Sequence, residues 1–396
     1  MENKPLMNAF PCISDLLSAI IRDGDDMKKM MCVILLLLSL SGCGEKALSK
    51  YSTTMSDVGF DTFVSFTGYT VNEATFDEYA STLKKEFGRY NKLFDKYNDY
   101  DGISNIKTIN DAAGKEPVVV DESIIELLQL SKKYDELSDH QFDVTMGSVL
   151  EIWHTYRDAG TKANEENKAS SIPDQKELEE AEKHSGWDKI EINEEKKTVY
   201  ITDPQVSLDV GGVAKGFTVE KVAEKLEQDG LDSAIINAGG NVRLIGSKPD
   251  NESWSVGMQI PNLEKLETDS LLSLKFDGSN SFVTSGDYQR YYMYNDEIMH
   301  HIIDPDTLFP ARHCRSVTVI CANSAVADIL STTLFTMSYE EGNTFLNTLK
   351  EKEGIDAQAI WVYDDKQPAE KGTETTEVKG YDVAMSDGLK DHINIK

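Results

Sequence analysis

Four short stretches of the chain carry residue types that could handle phosphate, metal and proton transfer. The first is Ser207-Leu-Asp-Val-Gly-Gly-Val-Ala-Lys-Gly216. Gly211, Gly212 and Gly216 let a backbone approach a ligand closely. Open amides at a helix start favour an anion, and Lys215 adds positive charge, a combination suited to a diphosphate. The spacing is neither a Walker A loop nor the dinucleotide glycine pattern, and a Gly-Gly turn before a helix is often plain punctuation. The second stretch is Ile236-Asn-Ala-Gly-Gly-Asn241, whose glycine pair reads equally as a bulge or as a place where a ligand lies against the backbone. The third is Thr284-Ser-Gly-Asp-Tyr-Gln-Arg290, followed by His300-His-Ile-Ile-Asp-Pro305. Adjacent histidines on a strand face opposite ways, so only one can serve a given site, where a carboxylate could orient it for proton transfer. His300 is expected at the surface of a hairpin, and Asp304-Pro305 is also a turn starter. The fourth is Ser324-Ala-Val-Ala-Asp-Ile-Leu-Ser-Thr332. Asp328 and Thr332 share one helix face in apolar surroundings, where a carboxylate needs a cation or several donors. Their oxygens suit magnesium, and a hydrogen-bonded structural aspartate competes evenly with that reading.

These residues need elements to hold them. Residues 58–70 alternate and are rich in Phe, Val, Thr and Tyr, which predicts an early strand. Helical spacing over 76–97 puts Tyr79, Leu83, Phe87, Tyr90 and Phe94 on one side. A second helix is predicted over 121–137 with Asp121 as its N-cap. Residues 158–183 are polar and charged, predicting an exposed excursion with a short helix after Pro173. Strand signals follow at 189–192, 198–202, 206–210, 234–237, 241–245, 254–259, 271–276, 281–284, 288–294, 298–303 and 316–321, with a turn at Asn295-Asp296. Helices are predicted over 219–228, stopped by Gly230, and over 324–337. Mixed strands and helices with many hairpins predict an α+β fold, its sheet largely antiparallel with flanking helices.

With 396 residues the chain can bury one large core or two modest ones. A net charge of −29 leaves no basic stripe to neutralise phosphates, so no nucleic-acid partner is expected. Met27-Lys28-Lys29 is a basic start, residues 30–40 are almost wholly apolar, and Leu40-Ser-Gly-Cys43 closes the run with the lipobox pattern. That run is short for a bilayer span and suits a signal peptide, with Cys43 acylated and the protein held on a membrane by its lipid. Residues 1–26 fit no signal design, so translation is expected to begin at Met27. Maturation would leave only Cys314 and Cys321, seven apart in a strand-like run; opposite-facing side chains there predict no disulfide.

The order and content of these pieces resemble the ApbE family of FAD:protein FMN transferases. The resemblance covers roughly residues 59–334. It rests on Phe60-Asp-Thr62, Phe142-Asp-Val-Thr-Met-Gly147 with Trp153, and Asp209-Val-Gly-Gly-Val-Ala-Lys-Gly216. Asn237-Ala-Gly-Gly240, Trp254 with Pro261, Thr284-Ser-Gly-Asp-Tyr288, His301-Ile-Ile-Asp-Pro305 and Ala327-Asp-Ile-Leu-Ser-Thr332 complete it. The resemblance implies magnesium on Asp328, Thr332 and the Ala214 carbonyl, with Lys215 and its glycines by the diphosphate of FAD. It implies that Asp209, Gly211, Gly212, Asn237, Gly239, Gly240, Ser285, Asp287 and Tyr288 line the FAD pocket, and that His301, with Asp304, assists the transfer. The implied product is FMN joined through a phosphoester to a Ser or Thr of an extracytoplasmic flavoprotein, with AMP released. A magnesium-dependent FAD pyrophosphatase and a non-catalytic flavin-binding lipoprotein are the alternatives. The implied organisation is a signal region over 1–42, a lipidated tether over 43–57 and one FAD-binding transferase domain over 58–396. Three departures stand out: Leu308 replaces a glycine after Thr307, Phe60 stands where many members carry methionine, and Ser148 replaces a frequent proline.

Overall fold

The computed structural model describes residues 47–249, 252–263, 270–389 and 393–394. The signal region, the start at Met27 and Cys43 lie outside the described residues. Nine strands form one antiparallel sheet, in the spatial order β1 (Ser49–Met55), β2 (Val64–Thr70), β6 (Ala234–Ala238), β7 (Asn241–Ile245), β10 (Asn280–Gly286), β13 (Ser316–Cys321), β14 (Gln358–Tyr363), β16 (Tyr381–Met385) and β15 (Thr376–Val378). β3 (Val118–Val119), β4 (Ile190–Asn193) and β5 (Thr198–Ile201) make one small sheet. β8 (Trp254–Gln259), β9 (Ser270–Phe276) and β17 (Ile393–Asn394) make another, and β11 (Tyr291–Tyr294) pairs with β12 (Glu297–His300). The helices are α1 (Glu73–Phe94), α2 (Ile106–Asp111), α3 (Glu122–Leu137), α4 (Gly147–Glu165), α5 (Gln175–Glu182), α6 (Ala214–Gln228), α7 (Ser324–Phe335) and α8 (Tyr339–Glu353). This is the α+β architecture that the strand and helix patterns predict.

The centre of the large sheet is buried on both faces: every residue of β7 and β13 is buried, including the polar Asn241, Arg243, Ser316 and Thr318. Val317 and Val319 of β13 and Trp361 of β14 join a core with α3, α7 and α8. Ile320, Ile360 and Val362, pointing the other way, pack with Val256 and Leu274 of the β8–β9 sheet. A third cluster sets Leu83 and Phe87 of α1 and Val219 and Val222 of α6 against Phe66 and Ile236 of the sheet.

Several predicted boundaries move for identifiable reasons. The tether expected over 43–57 is shortened, because residues 49–55 pair with β2 from Ser49↔Thr70 to Met55↔Val64. Residues 158–165 are mostly exposed as expected but form the last turns of α4, whose buried Gly160 lies under the ring of Tyr292. The short helix after Pro173 is present as α5, capped by Asp174. Residues 206–210 form no strand beyond a single bridge from Ser207 to Met146. α6 begins at Ala214, five residues before the predicted start, because its first turn packs through small residues and shows no apolar stripe. Cys314 precedes β13, so strand parity does not govern it. Both cysteines are buried in one core, free and unbridged. The Asn295-Asp296 turn is present, with both residues at positive φ.

Candidate active site

The glycine-rich turn of residues 207–216 is held from several sides before it meets any ligand. Leu208 exchanges two hydrogen bonds with the Asn110 side chain at 2.8 and 3.0 Å, and the Asp209 amide donates to the Val144 carbonyl at 2.8 Å. The Gly147 amide donates to Ser207 at 2.9 Å, and Ser148, at the place of the family's proline, donates to the Gln205 carbonyl. Four amides at the turn already have partners: Gly211 bonds Asp209 Oδ1, Val213 and Ala214 bond the Val210 carbonyl, and Gly216 bonds Asp328 Oδ2. The open helix start expected from the sequence is therefore partly closed. Positive charge near the turn rests more on Lys215 than on free amides.

α7 crosses α6 at this turn. A Cβ on Gly216 would lie 2.4 Å from both Asp328 Cβ and the Ser324 carbonyl oxygen, so only glycine permits the approach. The contact is reciprocal. Asp328 of α7 accepts the Gly216 amide at 2.6 Å, and Glu220 of α6 accepts the Ser324 amide at 2.5 Å while pairing with buried Arg243. Asp328 is buried, and burial pushes its carboxyl up to about 6 against the opposing Lys215 charge and the Gly216 amide. Among the described residues its second oxygen takes no hydrogen bond. Thr332, one turn on, faces Gly212, and its hydroxyl bonds only weakly to the Asp328 carbonyl at 3.4 Å. The Ala214 carbonyl accepts the Thr218 hydroxyl at 2.7 Å and would share its remaining capacity with a metal.

These donors fit a magnesium ion. They are all oxygen, one carries charge, and Asp328 has a free oxygen and a shortage of donors. Among the described residues no group of three or more His, Cys, Asp or Glu side chains could hold a metal.

Lys215 joins the two glycine motifs, its ammonium donating to the Gly239 carbonyl at 3.2 Å. Gly239 and Gly240 both have positive φ, and Thr62 Oγ1 sits where a Cβ on Gly239 would fall. Thr62 is brought there by a run of three positive-φ residues, Gly59, Phe60 and Asp61, with the Phe60 amide bonded to Asn91. The Asn237 side chain accepts the Gly240 amide at 3.3 Å. Lys215 is held below its ordinary value by burial, with Arg290 acting in the same direction.

His301 also feels Arg290 and Arg157, and burial pushes it down to about 3. Among the described residues its buried Nδ1 has no hydrogen-bond partner. His300 is not the surface histidine expected. It is buried, donates from Nε2 to the Ala311 carbonyl at 2.8 Å, accepts the Ile302 amide and packs on Phe335.

Two expected site carboxylates are taken up by other partners. Asp304 accepts the Asp306 amide and the Thr307 hydroxyl, so its carboxylate shapes its own turn and does not orient His301. Asp287 is fully buried and gives both oxygens to Arg315 at 2.6 and 3.2 Å. Tyr288 is buried with its ring folded over Gly286. Ser285 bonds Ser331 of α7 at 2.8 Å and so stays beside that helix. Leu308 keeps the glycine-like turn at φ 62 and buries its side chain with Trp153, whose indole donates to the Leu308 carbonyl at 2.9 Å. Sequence reasoning missed Lys96, His154, Arg157 and Arg290; Arg290 closes a motif already singled out, but the others show no periodic signal.

The comparisons with known proteins point to one family. The ApbE family model matches residues 60–358. An FAD:protein FMN transferase of Klebsiella pneumoniae is 30% identical over 255 residues, covering 64% of this chain and 74% of the relative. One from Treponema pallidum is 30% identical over 278 residues, covering 67% and 72%. The crystal structure of the ApbE protein from Thermotoga maritima superposes with a TM-score of 0.69 at 27% identity, covering 87% of this chain and 99% of that one. The flavin transferase ApbE from Vibrio cholerae shares the fold, with a TM-score of 0.64 at 20% identity and the same coverage of both chains. The chain belongs to the ApbE family.

Proposed function

We propose that this protein is a magnesium-dependent FAD:protein FMN transferase that joins FMN to a Ser or Thr hydroxyl of an acceptor flavoprotein and releases AMP. The observation that carries the reading is the Gly216–Asp328 contact, which sets a donor-poor carboxylate and Thr332 against the glycine turn and Lys215. Asp328, Thr332 and the Ala214 carbonyl would hold the magnesium, which when bound neutralises charge on the diphosphate and its leaving group. Lys215 and the backbone at Gly239 and Gly240 would position FAD, with Arg290 adding positive charge.

The acceptor oxygen attacks the FMN-side phosphorus, the bond from that phosphorus to the bridging oxygen breaks, and AMP departs. His301, kept neutral by burial, would take up the acceptor proton. Proton removal of this kind contributes roughly 10²–10⁴-fold. Asp304 acts at one remove, by shaping the turn after His301. The lipobox at Cys43 supports an extracytoplasmic site of action, with the lipid as membrane anchor. Among the described residues no helix is long and apolar enough to cross a membrane.

Product accounting tests the reading. FAD, magnesium, protein and an acceptor that a known family member modifies should yield AMP and flavinylated acceptor in equal amounts. AMP with free FMN and unmodified acceptor would mark a pyrophosphatase, and FAD binding without AMP would mark a carrier.

A further inference from the structure

Asp209 opens the glycine turn, yet its carboxylate faces into the protein. Oδ2 pairs with Lys96 Nζ at 2.7 Å, and Oδ1 accepts the Gly211 amide at 2.9 Å. Both partners are buried, with 12% and 11% of their side chains exposed. Lys96 lies just past the end of α1, remote in sequence from the turn. Its ammonium also meets His154 Nδ1 of α4 at 3.3 Å, and His154 Nε2 stands 4.0 Å from Asp209. Burial, together with the neighbouring Lys96 charge, holds His154 near 4, so the imidazole is neutral and leaves Asp209 to the lysine. Exposed Tyr97 covers the node, with Lys96 over its ring.

We infer that Lys96 is a positioning residue which, through Asp209, fixes the Gly211–Gly212 turn against the diphosphate of the flavin substrate. The inference rests on the proposed reading of that turn as the diphosphate seat. A buried carboxylate that loses its only ammonium must find water or a proton. Either change loosens the one bond that orients the Gly211 amide. The loss would be confined to ligands that use the turn.

The test compares FAD with riboflavin, which lacks the diphosphate, by calorimetry with magnesium present. Lys96→Met should weaken FAD by about tenfold or more and leave riboflavin unchanged, while Lys96→Arg restores most of the FAD affinity. The double variant Lys96→Met/Asp209→Asn should be no worse than Asp209→Asn alone, because one relay is cut twice. Equal losses for FAD and riboflavin would reduce Lys96 to a general structural residue. Additive losses in the double variant would mean that Lys96 touches the ligand directly, and would overturn the relay. If Lys96→Met does not fold, Asp209→Asn carries the same contrast, FAD weakened and riboflavin not. A native protein that holds FAD no tighter than riboflavin overturns the diphosphate seat and the inference with it. A native preference for FAD that survives Lys96→Met overturns the inference alone.

Discussion

Asp328 on α7 and Asp287 after β10 are alike in burial and unlike in company. Both are almost sealed from solvent, and burial pushes both carboxyls up to about 6. Asp287 gives both oxygens to Arg315, which also binds Asp364, so its bonding is complete without any ligand. Asp328 has one backbone amide, the nearby charge of Lys215 and a free oxygen. Burial therefore does not separate a structural aspartate from a ligand-ready one; the shortage of donors does.

If that distinction is right, the two residues should fail differently. Asp328→Asn should lower FMN transfer by about a thousandfold, roughly 4 kcal/mol, measured as initial rate at saturating magnesium. It should cost little stability, since the amide oxygen still accepts from Gly216. A variant that transfers at the native rate would remove Asp328 from the metal site. Asp287→Ala should do the reverse, destabilising the fold by about 3 kcal/mol in urea titrations because Arg315 stays buried without its bidentate partner. Lost FAD affinity with intact stability would return Asp287 to the pocket lining that the family resemblance assigns it.

A third buried aspartate sharpens the contrast at smaller scale. Asp135 gives one oxygen to His140 and leaves the other without a partner, and burial pushes its carboxyl up to about 6. His140 is raised above 6.5, chiefly by its hydrogen bond to Asp135. Both groups bind a proton more tightly in the folded state than in the unfolded one. Their contribution is thus present at low pH and lost as pH rises, for Asp135 from about 4 to 6 and for His140 through a value above 6.5. His140→Gln should cost about 0.5 kcal/mol below pH 6.5, the small size reflecting an exposed ring screened by solvent, and nothing at higher pH. Thermal melts at pH 6 and pH 8.5 check it, and a gap that widens toward pH 8.5 would contradict the sign.

Legibility in the sequence followed how locally each feature is determined. β7, β8 and β13 begin and end where predicted, because turn-forming residues flank each strand-favouring segment, and Asp121 caps α3 through the Ser123 amide as read. The first turn of α6 was missed because its glycine and alanine serve packing against α7 rather than an apolar stripe. Asp328, Thr332, Lys215 and the two glycine motifs were legible as motif residues. The direction of the Asp287 and Asp304 carboxylates was not, because Arg315 and Thr307 compete for them only in the folded chain. His300 looked exposed because a four-residue strand does not show that Phe335 packs over it. Lys96 gave no signal, since its partner lies more than a hundred residues away.

The central claim is that residues at the α6–α7 crossing direct FMN onto a protein hydroxyl with the help of a divalent metal. Mass spectrometry of the acceptor after incubation with protein, FAD and magnesium tests it most directly. The account predicts a mass gain equal to FMN linked through a phosphoester, lost with EDTA and nearly lost with Asp328→Asn. An acceptor that a known family member modifies, left at its original mass by this protein, or modified equally well without metal, would contradict it.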